Sequence, residues 1–310
     1  MLQRVAVIAF NTYREAARAR ILHGLFALAL ATAGYATIVG QYASTSAMRV
    51  ISDLGAASIS LYSVVVAIIV SATSLYREVE LKTIFPVIAR PVWRSEYLVG
   101  KFLGAWTTLA VFILINSAAL LLGLALMSDV ALTRVLFVAL LPLALTIGLA
   151  WRYPRSRLYL PLLFALCVFP LAYSQAGSAA DDRQVVVIAA LLTLFEVAII
   201  TAVSLLFAAF SSPFLTAVFS LGVFLVGRSA DTLANMPARV FGESVKRGGE
   251  LLVWCVPNLM VYVPPRPLLM GQTVDVDLGP YLAQAAGQAL AWCAVLLIVA
   301  SLIFQRRDFV

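Results

Sequence analysis

Glu196, within Leu194-Phe195-Glu196-Val197, is the one carboxylate that falls near the middle of an apolar stretch long enough to cross a bilayer. An ionisable side chain at that depth is expensive, about 2.5–3.5 kcal/mol on insertion scales, and marks a structural or functional need. Two readings of it stand. The carboxyl is either a hydrogen-bonded or protonated group joining two helices inside a bundle, which is preferred, or a group that contacts substrate or a coupled proton. The other reactive residues exclude more than they suggest. His23 is the only histidine, so no His-based metal cluster can form, and its place at the mouth of the first apolar stretch suits an interfacial polar residue. Cys167, Cys255 and Cys293 are far apart in sequence and are expected to be buried thiols without a disulfide framework. Gly100-Lys101-Phe102 lacks the earlier glycine and the Ser or Thr of a phosphate-binding loop, so the chain is not expected to cradle a nucleotide by itself. Neither Gly-x-Ser-x-Gly, nor HExxH, nor a pair of membrane-embedded aspartates occurs, which removes the intramembrane proteases. No catalytic residue, metal site or cofactor site is expected in this chain.

The polar segment Tyr76 to Lys101 (YREVELKTIFPVIARPVWRSEYLVGK) interrupts two long apolar stretches. Residues 74–85 carry Arg77, Glu78, Glu80 and Lys82 without a helix breaker; Pro86 and Pro91 then force a turn, and Ser95 offers an N-cap for the next helix. A short helix, a kink and a re-entry follow, making 76–97 an exposed elbow that another protein can grip.

The elements that must position these residues are membrane helices. Apolar residues make up 63% of the 310, only 12% are charged, and mean hydropathy is +0.99, far from a soluble composition. A spanning helix needs about 20 apolar residues. Eight stretches qualify in outline: 21–39, 57–75, 98–127, 134–150, 158–174, 185–210, 214–227 and 282–304. Three of these are short or contain Pro142, Pro161 and Pro170, so six or seven spans stay open. With an even number of spans, both termini and the loops around 76–101 and 151–157 share one face, which holds 14 of the 22 basic residues against 5 acidic ones, a net of +9. The opposite face is at −1. Basic loops stay on the cytoplasmic side, so both termini are expected there. The charge is spread over separate short loops, which argues against a nucleic-acid partner.

Residues 1–20 are expected to form an amphipathic helix in the headgroup layer, with Arg4, Asn11, Arg14, Glu15 and Arg18 on one face and Leu2, Val5, Ala9, Tyr13 and Ala16 on the other. A cleaved signal peptide is the alternative, but the apolar run continues to Val39, too long for an ordinary signal core. Residues 228–281 form a large outward segment, read either as short helices dipping into the outer membrane edge or as a loose loop.

Several of these residues resemble a family. Arg49-Val50-Ile51-Ser52-Asp53-Leu54-Gly55, Tyr76 to Ile84, Ala89-Arg90-Pro91-Val92-Trp93-Arg94 and Tyr97 to Gly104 are similar to the membrane subunits of bacterial ATP-binding cassette exporters of the second type, the ABC-2 type permeases. Leu205-Leu206-Phe207-Ala208-Ala209-Phe210-Ser211-Ser212-Pro213 resembles the family's tight cytoplasmic turn, Val256-Pro257-Asn258 its outer loop, and Phe304-Gln305-Arg306-Arg307-Asp308-Phe309 its terminal signature. The likeness covers most of the chain in order. It implies an all-α integral membrane bundle of six core spans in the bacterial plasma membrane, an amphipathic N-terminal helix, and residues 21–310 as one permease domain. It also implies a coupling helix between spans two and three, and a dimer of two permease chains among membrane lipids. Two copies of a separate ATPase would hold the ATP and Mg²⁺. The ATPase would touch Arg77, Glu78, Glu80, Lys82, Arg90 and Arg94, with Ile84, Phe85 and Val87 as apolar anchors. The chain departs from the pattern at 134–174, an apparent extra two-span hairpin that raises the count to about eight, and at the outward Lys246-Arg247. A non-transporting membrane subunit that transmits force to an extracytoplasmic partner is the alternative function.

Overall fold

The structure, a computed structural model, describes residues 2–43, 47–80, 93–128, 130–153, 157–177, 179–234, 256–263 and 277–306. Among them there is no strand. The helices are α1 (Leu2–Ala17), α2 (Arg20–Tyr42), α3 (Ala47–Glu80), α4 (Arg94–Met127), α5 (Leu132–Arg152), α6 (Leu160–Gln175), α7 (Ala180–Ala208), α8 (Pro213–Ala234) and α9 (Leu278–Arg306), with one 3₁₀ turn at Met260–Tyr262. Six are long and apolar enough to cross a membrane: α2, α3, α4, α5, α7 and α9. The apolar helices Leu160–Gln175 and Pro213–Ser229, in α6 and α8, are shorter.

Hydropathy sets the helices, and burial sorts them. Of the apolar windows of α7 and α4, 72% and 67% is buried, against 17% in α2 and α5. Thus α4 and α7 form the centre together with the inner face of α3, while α2, α5 and α9 stand around them. The outer helices leave large apolar side chains exposed, among them Leu28, Phe137, Leu145, Ile147, Leu290 and Ile298. In water such a surface would be costly; against hydrocarbon it is the expected one. The helices α5 and α6 pack on each other, and α6 packs on α4.

The segment 209–213 turns tightly for reasons legible in its residues. Pro213 opens α8, where its missing N–H costs nothing. The Leu215 N–H donates to Ser212 Oγ at 3.4 Å, and the Ser211 hydroxyl bonds the Phe207 carbonyl at 2.8 Å. The start of α4 differs from the expected Ser95 cap: the helix begins at Arg94, and the Trp93 N–H donates to the Glu96 carboxylate at 3.4 Å. A carboxylate in the first turn serves the orphan N–H groups as well as a serine cap does.

The helix before the segment expected to face outward ends later than expected. Helix α8 continues through Arg228 to Ala234 instead of ending at Gly227. Beyond it, the Leu259 N–H bonds the Gly227 carbonyl at 3.0 Å, and a side chain on Gly227 would lie 2.7 Å from the Pro257 carbonyl oxygen. The 3₁₀ turn is held down by Tyr262, whose hydroxyl donates to the Ala285 carbonyl at 3.2 Å, and by the Tyr281 hydroxyl on the Val261 carbonyl. Burial pushes the Tyr262 hydroxyl above its ordinary pKa. The expected thiols divide: Cys293 is buried, Cys167 is exposed on α6, and Cys255 lies outside the described residues.

Candidate functional site

Two polar clusters stand out in this apolar molecule. The first is built on Glu196, halfway along α7 and fully buried. Its carboxylate accepts from Arg228 of α8 in a two-pronged clamp, Nε to Oε1 at 2.8 Å and Nη2 to Oε2 at 2.9 Å. Ser60 of α3 closes the triangle: its hydroxyl donates to Glu196 Oε2 at 2.9 Å and accepts from Arg228 Nη2 at 2.8 Å. The guanidinium also stacks over Phe224, one turn earlier on α8, at 5.4 Å. Planar fork meets planar carboxylate, the geometry for which arginine is better suited than lysine. The pair is neutral as a whole, so three helices share one polar contact without leaving a net charge inside the bundle.

Sequence reasoning placed Glu196 in a span but put Arg228 in the outward loop, because the apolar run stops at Gly227. The missed signal was helical spacing: Phe224 and Arg228 lie four residues apart, on one face of a helix that did not need to end.

The second cluster sits at the α1 end of the bundle, around the points where α3 ends and α4 begins. Lys101, counted above as a loop charge, is 1% exposed. Its ammonium reaches Ser74 Oγ at 2.9 Å and the Ser74 carbonyl at 3.4 Å, lies 3.6 Å from Glu15 Oε2, and stands 5.7 Å from the Tyr97 ring centre. One cation thus ties α1, α3 and α4 together. Around it, Arg94 donates to the Phe304 carbonyl of α9 at 2.8 Å, Arg4 approaches Glu96 at 4.0 Å, and the Tyr97 and Phe304 rings stack at 6.1 Å.

Helix α1 lies directly on α4. Gly100 and Gly104, four apart on one face, make the approach possible: a Cβ on Gly100 would come within 2.7 Å of Ile8 Cβ, and one on Gly104 would collide with the Ala9 carbonyl. Val5, Thr12, Tyr13 and Ala16 are buried, and Arg4, Arg14 and Arg18 are exposed. Leu2, assigned to the apolar face, is 87% exposed. The Tyr13 hydroxyl is buried with no hydrogen-bond partner among the described residues, and its burial raises its pKa.

Of the residues assigned to the elbow, Arg77, Glu78 and Glu80 fall on the last turns of α3, and Arg94 opens α4. Lys82, Ile84, Phe85, Val87 and Arg90 lie outside the described residues. Among the described residues no three His, Cys, Asp or Glu side chains gather as a metal site would require. His23 is exposed, its Nδ1 2.9 Å from the Ala19 carbonyl.

Compared with family models and with curated protein sequences, the chain matches none.

Proposed function

We propose that this chain is the membrane subunit of an ATP-binding cassette exporter of the second type, working as a dimer with two copies of a separate ATPase in a bacterial plasma membrane. Both termini are cytoplasmic in this reading, and α6 and α8 join the six long helices to give eight spans. ATP, with its Mg²⁺, is bound and hydrolysed on the partner.

One observation carries the reading. Helices α3 and α4, 34 residues each, run to about 50 Å at 1.5 Å per residue, well beyond a hydrocarbon core of about 30 Å. Residues 81–92 connect them, and the chain leaves α3 and enters α4 at the α1 end, where Lys101, Glu15 and Ser74 bind α1 to both. A push on that segment would be received by two rigid rods already fastened to each other. Ser60 lies 14 residues from Ser74 on α3, about 21 Å along the axis, so the same rod leads to the Glu196–Arg228 pair. An ATPase that binds one arrangement of these rods more tightly in its nucleotide-bound form would shift the bundle towards that arrangement.

The test is co-purification. Replacing Glu78 and Glu80 together with Lys should release the ATPase from the tagged, folded membrane subunit and abolish ATP-dependent transport. Retention of the ATPase with unchanged transport would overturn the docking assignment.

A further inference from the structure

A cavity of about 490 Å³ opens between α3, α7 and α8 on the half of the bundle away from α1, with the 3₁₀ turn at its edge. Its wall includes Asp53, Ser60, Thr193, Phe224 and Arg228, the remainder being aliphatic apart from Tyr262. The volume falls within the range of about 300–1,000 Å³ of small-molecule sites.

Polar groups on this wall have unused capacity. Arg228 spends Nε and Nη2 on Glu196 and Ser60, and Nη1, with its two N–H groups, takes part in no hydrogen bond among the described residues. Its side chain is 24% exposed while the Glu196 side chain behind it is at 0%, so anything entering the cavity meets the guanidinium and not the carboxylate. Thr193, only 3% exposed, lines the same wall, and its hydroxyl has no partner among the described residues. At the opposite end of the wall, the Asp53 carboxylate is engaged by Arg49 at 3.7 Å. Unpaired donors in an apolar enclosure are costly and call for acceptor oxygens. A guanidinium favours anionic ones, which form shorter and stronger bonds. The rest of the wall favours hydrocarbon, with Leu61, Val185 and Phe224 beside the polar groups.

We propose that this cavity binds a single-chain anionic amphiphile, its carboxylate or phosphate on Arg228 Nη1 and the Thr193 hydroxyl and its chain along Leu61, Val185 and Phe224. The site goes beyond the permease reading and is tested without an ATPase, so either proposal can fail alone.

The experiment measures binding of radiolabelled dodecanoate and dodecyl phosphate to the full chain in phosphatidylcholine nanodiscs, with empty nanodiscs subtracted. Dodecanol and dodecyltrimethylammonium serve as competitors. Saturable binding of at least one anion, resisted by neither competitor at equal concentration, is expected; the stronger anion identifies the headgroup as carboxylate or phosphate. Arg228→Gln combined with Glu196→Gln removes both charges while keeping a hydrogen-bonded pair, and should weaken binding by about tenfold or more, as loss of a charge-assisted bond does. Ala189→Phe, on the cavity wall, should abolish binding with the Glu196–Arg228 pair intact. Equal competition by the alcohol or the cation, or unchanged anion affinity in the folded double variant, would overturn the proposal.

Discussion

The Glu196–Arg228 pair should respond unequally to loss of its two members. In Arg228→Met the Glu196 carboxylate keeps, among the described residues, only the Ser60 hydroxyl and has no access to solvent. Breaking a buried pair from one side costs about 3–5 kcal/mol, because the remaining charge is stranded. In Glu196→Gln the stranded group is Arg228, which borders a cavity and is 24% exposed. Water can reach it, and the amide oxygen of Gln still accepts one of its bonds, so about 1–2 kcal/mol is expected. With both residues changed to Gln no charge remains to strand, and the loss should fall below that of Arg228→Met. The assay is equilibrium unfolding of purified protein in mixed micelles with increasing dodecyl sulfate, followed by helical circular dichroism. The expected order of destabilisation is Arg228→Met, then Glu196→Gln, with the double Gln variant less damaged than Arg228→Met. A double variant as unstable as Arg228→Met would show that packing volume, and not charge pairing, governs this site. Complete loss of transport in a folded Glu196→Gln protein would instead point to a charge-dependent step.

Gly104→Leu should detach α1, since its side chain would occupy the position of the Ala9 carbonyl; amide hydrogen exchange over residues 2–17 should accelerate by about tenfold or more, while Gly24→Ala, with open space around it, should leave the rate unchanged. Lys101→Met keeps the bulk of the buried side chain but removes its bonds to Ser74 and Glu15; exchange should rise in α1 and at the end of α3 together, and a rise confined to α1 would contradict the three-helix tie. In a cysteine-free background, Ser156→Cys should resist an impermeant thiol reagent in intact cells, and ready labelling from outside would remove the eight-span topology. Removal of Cys167 is needed there because it is exposed.

The helical class and the long apolar helices were legible in composition and in run length alone, because a bilayer imposes a minimum length that only such runs meet. The turn at 209–213 and the amphipathic character of α1 were likewise legible, each depending on neighbours within a few residues. The polar clusters were not. Glu196 was visible as a charge in an apolar run, yet its partner lies 32 residues on and its hydroxyl bridge 136 residues back. Arg228 looked like a loop residue because hydropathy ends where the first charge begins, whereas the backbone ends a helix only when its hydrogen bonds find better use. Lys101 looked like a topology charge for the same reason; tertiary structure buried it by bringing Ser74 and Glu15 to it. Sequence thus determined which segments seek the apolar phase, a property each residue carries by itself. Which charges could follow them was decided by packing, since a buried ion is tolerated only where a distant partner arrives with the right geometry.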